Sequence, residues 1–273
     1  MSGAMFVLSP ADEGLLRALA TYRFLTIMQA VRLGIGGREH IGERLRRLAK
    51  AGYVSMFGNS PLHGPRIHWL TKRGADAVRE LLSEEGAPAE VPAPRAYRGG
   101  AHLRARVAIV DCHIALAMWA REAGLRLDDV RTEFSRNPAT LAPATTLTHD
   151  GRTYTPDGIF QLTDPAGKSW LLVLELERGG FAGSPDHFRR MMAERAEVIN
   201  TFTVEQALDW QGDNAARFLF VFATSEMMEA ATRRLPEVGA AFWKSVYFKS
   251  LPEVIEAFPT SWHRADGTFA HIP

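Results

Sequence analysis

Residues 86–100 read Gly-Ala-Pro-Ala-Glu-Val-Pro-Ala-Pro-Arg-Ala-Tyr-Arg-Gly-Gly, and no other feature restricts the fold of this chain as strongly. Pro88, Pro92 and Pro94 fix φ and remove backbone donors, and Gly99 and Gly100 loosen the far end. No helical or alternating apolar pattern crosses the stretch, so it reads as a linker. A chain of 273 residues is long enough for two domains. The expected division is a small domain over 1–85, a linker over 86–100 and a larger domain over 101–273. The chain shows no internal repeat.

Hydrophobic residues at 46% and charged residues at 23% are ordinary for a globular protein and exclude a fully disordered one. Arginine dominates the cations, with 27 Arg against 5 Lys, so a site that requires lysine has few candidates. The single cysteine, Cys112, excludes a disulfide framework and a cysteine-rich zinc site and fits a reducing cytosol. The first residues lack the basic and apolar regions of a signal peptide, and the longest apolar runs, 170–174 and 218–223, are too short to span a membrane. A cytoplasmic protein with no membrane partner is expected.

In the first segment, Ser9-Pro10-Ala11-Asp12-Glu13 is a helix start, with a capping serine, proline at the first helical position and acids at the positive end of the dipole. Leu15, Leu16, Leu19 and Phe24 follow on one face. Thr26 caps a second short helix, and Gly34, Gly36 and Gly37 break the chain. A third helix is expected over 38–51, with Ile41, Leu45 and Leu48 on one stripe and Gly52 at its end. Strands at 53–57 and 66–70 flank a turn, and Thr71 caps a fourth helix to about Leu82. This order of three helices, hairpin and helix is that of a winged helix-turn-helix. The phrase Leu45-Arg46-Arg47-Leu48-Ala49-Lys50-Ala51-Gly52-Tyr53-Val54, followed later by Trp69-Leu70-Thr71-Lys72-Arg73-Gly74, resembles many winged-helix DNA-binding domains.

Charge points the same way. Between Arg32 and Arg73 lie nine basic residues and only two acids, Glu39 and Glu43, a local excess of +7 in a chain whose net charge is +1. Arg38, Arg46 and Arg47 lie off the apolar stripe and can face a partner. A helix of this kind fits the DNA major groove, and each phosphate it neutralises releases counterions. The candidate DNA-binding residues are Arg38, Arg44, Arg46, Arg47, Lys50, His63, Arg66, Lys72 and Arg73, with His63, Arg66 and His68 on or beside the wing. The same features suit a solvated basic helix in a protein-interaction domain.

In the second segment a helix is expected over 102–123, a strand over 125–134, another over 154–162 and a third over 170–177. A helix over 185–201, a strand over 217–224, a helix from Ser225 and a last strand over 246–251 follow. His102, Arg106, Asp111 and His113 lie on the first helix, supporting an acidic cluster, contacting phosphate or forming an ordinary polar surface. Glu175 and Glu177 are the sharpest feature. Side chains alternate along a strand, so both point to one face while Leu174 and Leu176 point to the other. Two carboxylates ending an apolar strand are costly to bury unpaired. Asp157, after Pro156, precedes the hairpin partner strand. Three carboxylates converging at a sheet edge can hold Mg²⁺ through oxygen ligands.

This pattern resembles the PD-(D/E)xK nucleases, in which an Asp after a Pro and a Glu-x-Lys hold metal and activate water. Asp157, Glu175 and Glu177 are the catalytic and metal-binding candidates that the resemblance implies, with Mg²⁺ the implied cofactor. The motif lysine is replaced by Glu177, and no lysine lies closer in sequence than Lys168. Arg189, Arg190 and Arg195 can supply positive charge, but arginine stays protonated and cannot act as a general base. The expected fold class is therefore α+β or α/β: a winged helix-turn-helix followed by a PD-(D/E)xK nuclease-like mixed sheet.

The whole arrangement also resembles the replication-relaxation family of plasmid and integrative-element proteins. The matching residues are Pro156-Asp157-Gly158-Ile159-Phe160 and Leu174-Glu175-Leu176-Glu177-Arg178-Gly179. That resemblance implies a DNA-binding accessory protein for replication, relaxation or conjugative mobilisation. Its implied partners are double-stranded DNA and a relaxase or other mobilisation protein, and a homodimer stays open. Two other readings stay open: a Mg²⁺-dependent endonuclease, and a winged-helix transcriptional regulator whose second domain senses a ligand or dimerises.

Overall fold

The structure, a computed structural model, describes residues 7–58, 65–86, 91, 100–137, 139–149, 151–177, 190, 192–196, 204–208, 210, 212, 215–233, 235 and 243–272, with the side chains of 100–102 left aside. Its contacts divide the chain into Met1–Val110 and Asp111–Pro273. The division falls inside a helix, further along than the 86–100 stretch, most of which lies outside the described residues. The start of that helix packs with the first unit, where Gln29 Nε2 donates to the Val107 carbonyl at 2.9 Å.

In the first unit, α1 (Pro10–Tyr22) opens with a reciprocal cap. Asp12 N–H donates to Ser9 Oγ at 3.3 Å and Ser9 N–H donates to Asp12 Oδ2 at 3.0 Å. Its Leu15, Leu16 and Leu19 are buried. Thr26 caps α2 (Ile27–Arg32) by accepting from Gln29 N–H at 3.2 Å. In α3 (Arg38–Lys50) the stripe Ile41, Leu45 and Leu48 is buried, and Gly52, at φ +80°, turns the chain out of the helix. β1 (Val54–Phe57) pairs antiparallel with β2 (Ile67–Leu70). Leu25 bridges to His68, so a short extended piece before α2 joins the hairpin. Thr71 caps α4 (Lys72–Glu84), its Oγ1 accepting from Gly74 N–H at 3.1 Å. The hairpin tip, including His63, lies outside the described residues.

The second unit is a mixed α+β body around a seven-stranded sheet. α5 (Gly100–Glu122) leads into β3 (Arg126–Thr132). β4 (Leu147–His149) and β5 (Arg152–Tyr154) form a separate hairpin. β6 (Gly158–Thr163), β7 (Ser169–Glu177), a four-residue α6 (Val204–Ala207), β8 (Arg217–Phe222), α7 (Ser225–Thr232), β9 (Val246–Ser250) and α8 (Leu251–Glu256) follow. The pair β10 (Trp262–His263) and β11 (Phe269–Ala270) closes one edge. The sheet order is β11-β10-β9-β8-β7-β6-β3, parallel through β7, β8 and β9 and antiparallel on both flanks.

Two expectations are corrected. The strand anticipated over 154–162 is two strands, because Pro156 has no N–H to give a ladder and the Asp157 carbonyl accepts from Glu133 N–H instead. β9 is not the last strand: the short β10–β11 hairpin continues the sheet beyond it. Of the helix anticipated over 185–201, the described residues 190 and 192–196 are helical.

Apolar alternation explains how the sheet is covered. On one face Leu171, Val173, Phe218, Phe220, Phe222, Val246 and Phe248 form a core with Met192, Ala196 and Met228. On the other, Phe160 meets the His113 ring at 5.6 Å. Trp119, later on the same helix, stacks on Phe258 at 5.4 Å.

Candidate functional site

The register Gly158↔Leu174 places Asp157, one residue before β6, across from Glu175 on β7. Glu175 and Glu177 share the face of Leu171 and Val173 by alternation, and both are buried, at 3% and 8% exposure. Burial removes them from bulk solvent, so their partners come from neighbouring elements. Arg195, on the helical stretch 192–196, brings Nη1 within 2.5 Å of Glu175 Oε2 and 3.5 Å of Glu177 Oε1. Tyr154, at the end of β5, donates its hydroxyl to Glu175 Oε1 at 2.5 Å. Leu176 N–H donates to Asp157 Oδ2 at 2.6 Å.

Titration follows from that arrangement. Burial pushes the Glu175 carboxyl up; Arg195 and Tyr154 work against the shift, and Glu177 adds to it. Burial, then repulsion from Glu175, raises Asp157 to about 7, with the Leu176 N–H opposing. Burial and the neighbouring Glu175 charge lift the Tyr154 phenol well above its ordinary value, so it stays a donor. Burial alone would lower the Arg195 pKa, but Glu175 and Glu177 outweigh it and raise it. The cluster is thus a buried acidic set in which one guanidinium lies between two glutamates and offsets part of their charge.

These residues, as arranged, do not fit a Mg²⁺ ion. The cationic position between Glu175 and Glu177 is held by Arg195, and the oxygen of Asp157 nearest β7 is occupied by a backbone amide. Among the described residues no three His, Cys, Asp or Glu side chains stand together as metal ligands. Of the other arginines anticipated near the cluster, Arg190 is exposed, and Arg189 lies outside the described residues.

One buried cation was not anticipated. Lys249 is 1% exposed, on β9. It alternates with Val246 and Phe248 of the carboxylate-side core and therefore points to the opposite face. Its Nζ donates to the Ala257 carbonyl and, at 2.5 Å, to the Thr260 carbonyl, and sits 5.5 Å from the Trp262 ring centroid. Burial lowers it to about 8, against the pull of Glu253 and Glu256. It closes the end of α8 and does not replace the motif lysine. A lysine directly after the apolar run 246–248 was the available signal.

The basic candidates of the first unit separate into two groups. Arg44 Nη1 donates to Ser9 Oγ at 2.6 Å and to the fully buried Asp12 at 3.2 Å; Arg47 approaches the same carboxylate at 3.9 Å. Burial would raise Asp12, but hydrogen bonds from Ser9 and Arg44 outweigh it and hold the carboxyl below its usual range. Arg73 donates to the Ala51 carbonyl at 2.8 Å and stacks 4.5 Å from the Tyr53 ring. Arg44 and Arg73 thus fasten α1, α3 and α4 together. His68 is not beside a partner but buried, with Nδ1 3.2 Å from the Leu25 carbonyl; burial lowers it to about 4, so it stays neutral. Arg38, Arg46, Arg47, Lys50, Arg66, Lys72 and also Arg73 are exposed, so tethering and exposure overlap at Arg47 and Arg73. Arg38, Arg46 and Arg66 line an open groove of about 880 Å³ with Ile27, Glu39, His40, Gly42 and Glu43.

On α5, the side chain of His102 lies outside the described residues. His113 is buried against Phe160, and burial lowers it to about 4. Arg106 lies 5.8 Å from the Phe24 ring, and Cys112 is buried.

No protein-family model and no curated protein matches the chain. Among solved structures, the SdaI restriction endonuclease overlaps 97% of this chain and 90% of its own, at 14% sequence identity and a TM-score of 0.27. An overlap of that quality carries no argument about activity. Among the described residues no helix is long and apolar enough to cross a membrane.

Proposed function

We propose that the chain is a DNA-binding accessory protein of plasmid or mobile-element replication and mobilisation. Its first unit acts as a winged helix on duplex DNA, and its second is a nuclease-like domain whose acidic set is structural. The observation that carries the DNA reading is the division of α3 into a buried stripe of Ile41, Leu45 and Leu48 and an exposed edge of Arg38, Arg46, Arg47 and Lys50. An exposed cationic helix edge backed by a packed apolar stripe is what groove binding needs, and Arg66 of the hairpin shares its groove. Glu39 and Glu43 line the same groove and would repel phosphates that approach out of register.

The second part of the proposal is supported by Arg195. Arginine cannot serve as a general base, and here it takes the cationic position between Glu175 and Glu177. Service to a relaxase or to conjugative mobilisation is supported only by the resemblance at Pro156–Phe160 and Leu174–Gly179.

The test is fluorescence anisotropy on a labelled duplex across a salt series. The wild type should bind with a steep salt dependence. The double substitution Arg38→Ala, Arg46→Ala should weaken binding and flatten the log–log slope by about one per lost phosphate contact. Unchanged affinity and slope would remove α3 as the reading element.

A further inference from the structure

On the sheet face opposite the carboxylates, a second charged cluster surrounds Tyr247. The register Leu219↔Tyr247 and the alternation along β8 put Arg217 and Tyr247 on one face, since Phe218, Val246 and Phe248 belong to the other. Beyond β10, Arg264 reaches the same tyrosine. Its Nη2 donates to the Tyr247 hydroxyl at 3.2 Å, and its guanidinium carbon lies 5.4 Å from the ring centroid. Tyr247 is buried at 4% exposure.

The two cations are incompletely satisfied. Arg217 Nη1 and Arg264 Nε are buried donors without a hydrogen-bond partner. Among the described residues neither arginine has a carboxylate within ion-pair distance. Asp266, the acid nearest in sequence to Arg264, is engaged in its own turn, accepting from Thr268 N–H at 2.9 Å and Thr268 Oγ1 at 2.6 Å. Lys249, also on this face, is bound to backbone carbonyls. Burial lowers the Arg217 pKa; Tyr247 opposes the shift and the like charge of Arg264 adds to it. Asp266 faces Arg264 only from beyond ion-pair distance; buried donors of one charge sign with no carboxylate in direct contact call for an anion, and a guanidinium fork matches a tetrahedral oxyanion by paired N–H donors.

We propose that Arg217 and Arg264, gathered on Tyr247, form a binding site for a phosphate-type oxyanion, supplied by free phosphate or by a phosphodiester backbone. The site stands independently of α3, because no residue of the first unit takes part in it.

The test pairs two measurements on the full chain. Thermal melting is compared in inorganic phosphate and in chloride at matched ionic strength, and anisotropy is measured on a labelled duplex. Phosphate should raise the wild-type melting temperature above its value in chloride, and Arg217→Gln and Arg264→Gln should each abolish the difference. A phosphodiester source is indicated if the same variants weaken duplex binding, on the order of tenfold for a lost charged contact. A free-anion source is indicated if duplex binding is unaffected while the phosphate shift disappears. Arg217→Lys and Arg264→Lys keep the charge and lose the fork, so they serve if the glutamine variants do not fold; they should retain only part of the shift. The Arg38→Ala, Arg46→Ala variant should keep the phosphate shift in full, which separates failure of this site from failure of α3. The proposal is overturned if wild-type melting is the same in both salts and duplex affinity is the same in all Arg217 and Arg264 variants, or if the shift survives in both glutamine variants.

Discussion

At the scale of single residues, Glu175 shows how a buried charge is kept. Its carboxylate is held by Arg195 on one oxygen and Tyr154 on the other. Removing one partner of a buried pair leaves an uncompensated charge, typically a loss of about 3–5 kcal/mol. Arg195→Gln should therefore lower the unfolding free energy measured by denaturant titration by about that amount, whereas Arg190→Gln, at an exposed position, should have little effect. Equal effects would mean that Arg195 is not the counter-ion.

Asp157 has the opposite character. Burial and the Glu175 charge raise its pKa from 3.8 to about 7, so over that interval the folded chain holds a proton that the unfolded chain has released. Stability is then lost as pH rises from about 4 to about 7 and changes no further from this source above that. Asp157→Asn keeps an acceptor for Leu176 N–H and removes the charge. Its stability should match the wild type near pH 4 and exceed it above pH 7, as read from denaturation curves across pH. Parallel curves would show that Asp157 does not titrate in this way.

At the scale of elements, short-range chemistry was legible wherever one residue type has one use. Ser9-Pro10 starts α1, Thr26 and Thr71 cap α2 and α4, and the four-and-three spacing of Ile41, Leu45 and Leu48 becomes the buried stripe of α3. The pairing of Glu175 and Glu177 on one face followed from alternation alone. What stayed hidden depends on contacts distant in sequence. The two- and three-residue strands β4, β5, β10 and β11 are too short to show a period. His68 looked like a wing residue because nothing near it in sequence announces Leu25, 43 positions away, as its partner. Arg195 was one of three arginines, and only the tertiary packing of its helical stretch selects it.

Gly74 carries a prediction at this scale. Alanine is the better helix former by roughly 1 kcal/mol, so propensity alone favours Gly74→Ala in α4. A Cβ there would lie 2.1 Å from the Tyr53 carbonyl oxygen, which is backbone and cannot swing aside. Steric cost wins, and the substitution should lower the melting temperature, with a loss of about 1–3 kcal/mol. A rise in melting temperature would show that α4 can shift away from the start of β1.

At the scale of the whole molecule, the chain joins a helical unit with an exposed cationic edge to a mixed-sheet unit with a buried acidic set built around Arg195. Parallel strands β7, β8 and β9 form the apolar centre, and the carboxylates sit where β7 runs on past the end of β6. The same motif that resembles a nuclease thus meets a guanidinium where catalysis would need a cation and a lysine. The protein should hold DNA without cutting it. Incubation of supercoiled plasmid with purified protein and Mg²⁺ or Mn²⁺, run on gels before and after protein removal, reads both properties at once. Retarded plasmid that returns to the supercoiled position after protein removal is the predicted result; nicked or linear plasmid that disappears with Asp157→Asn, or no retardation at all, would contradict it.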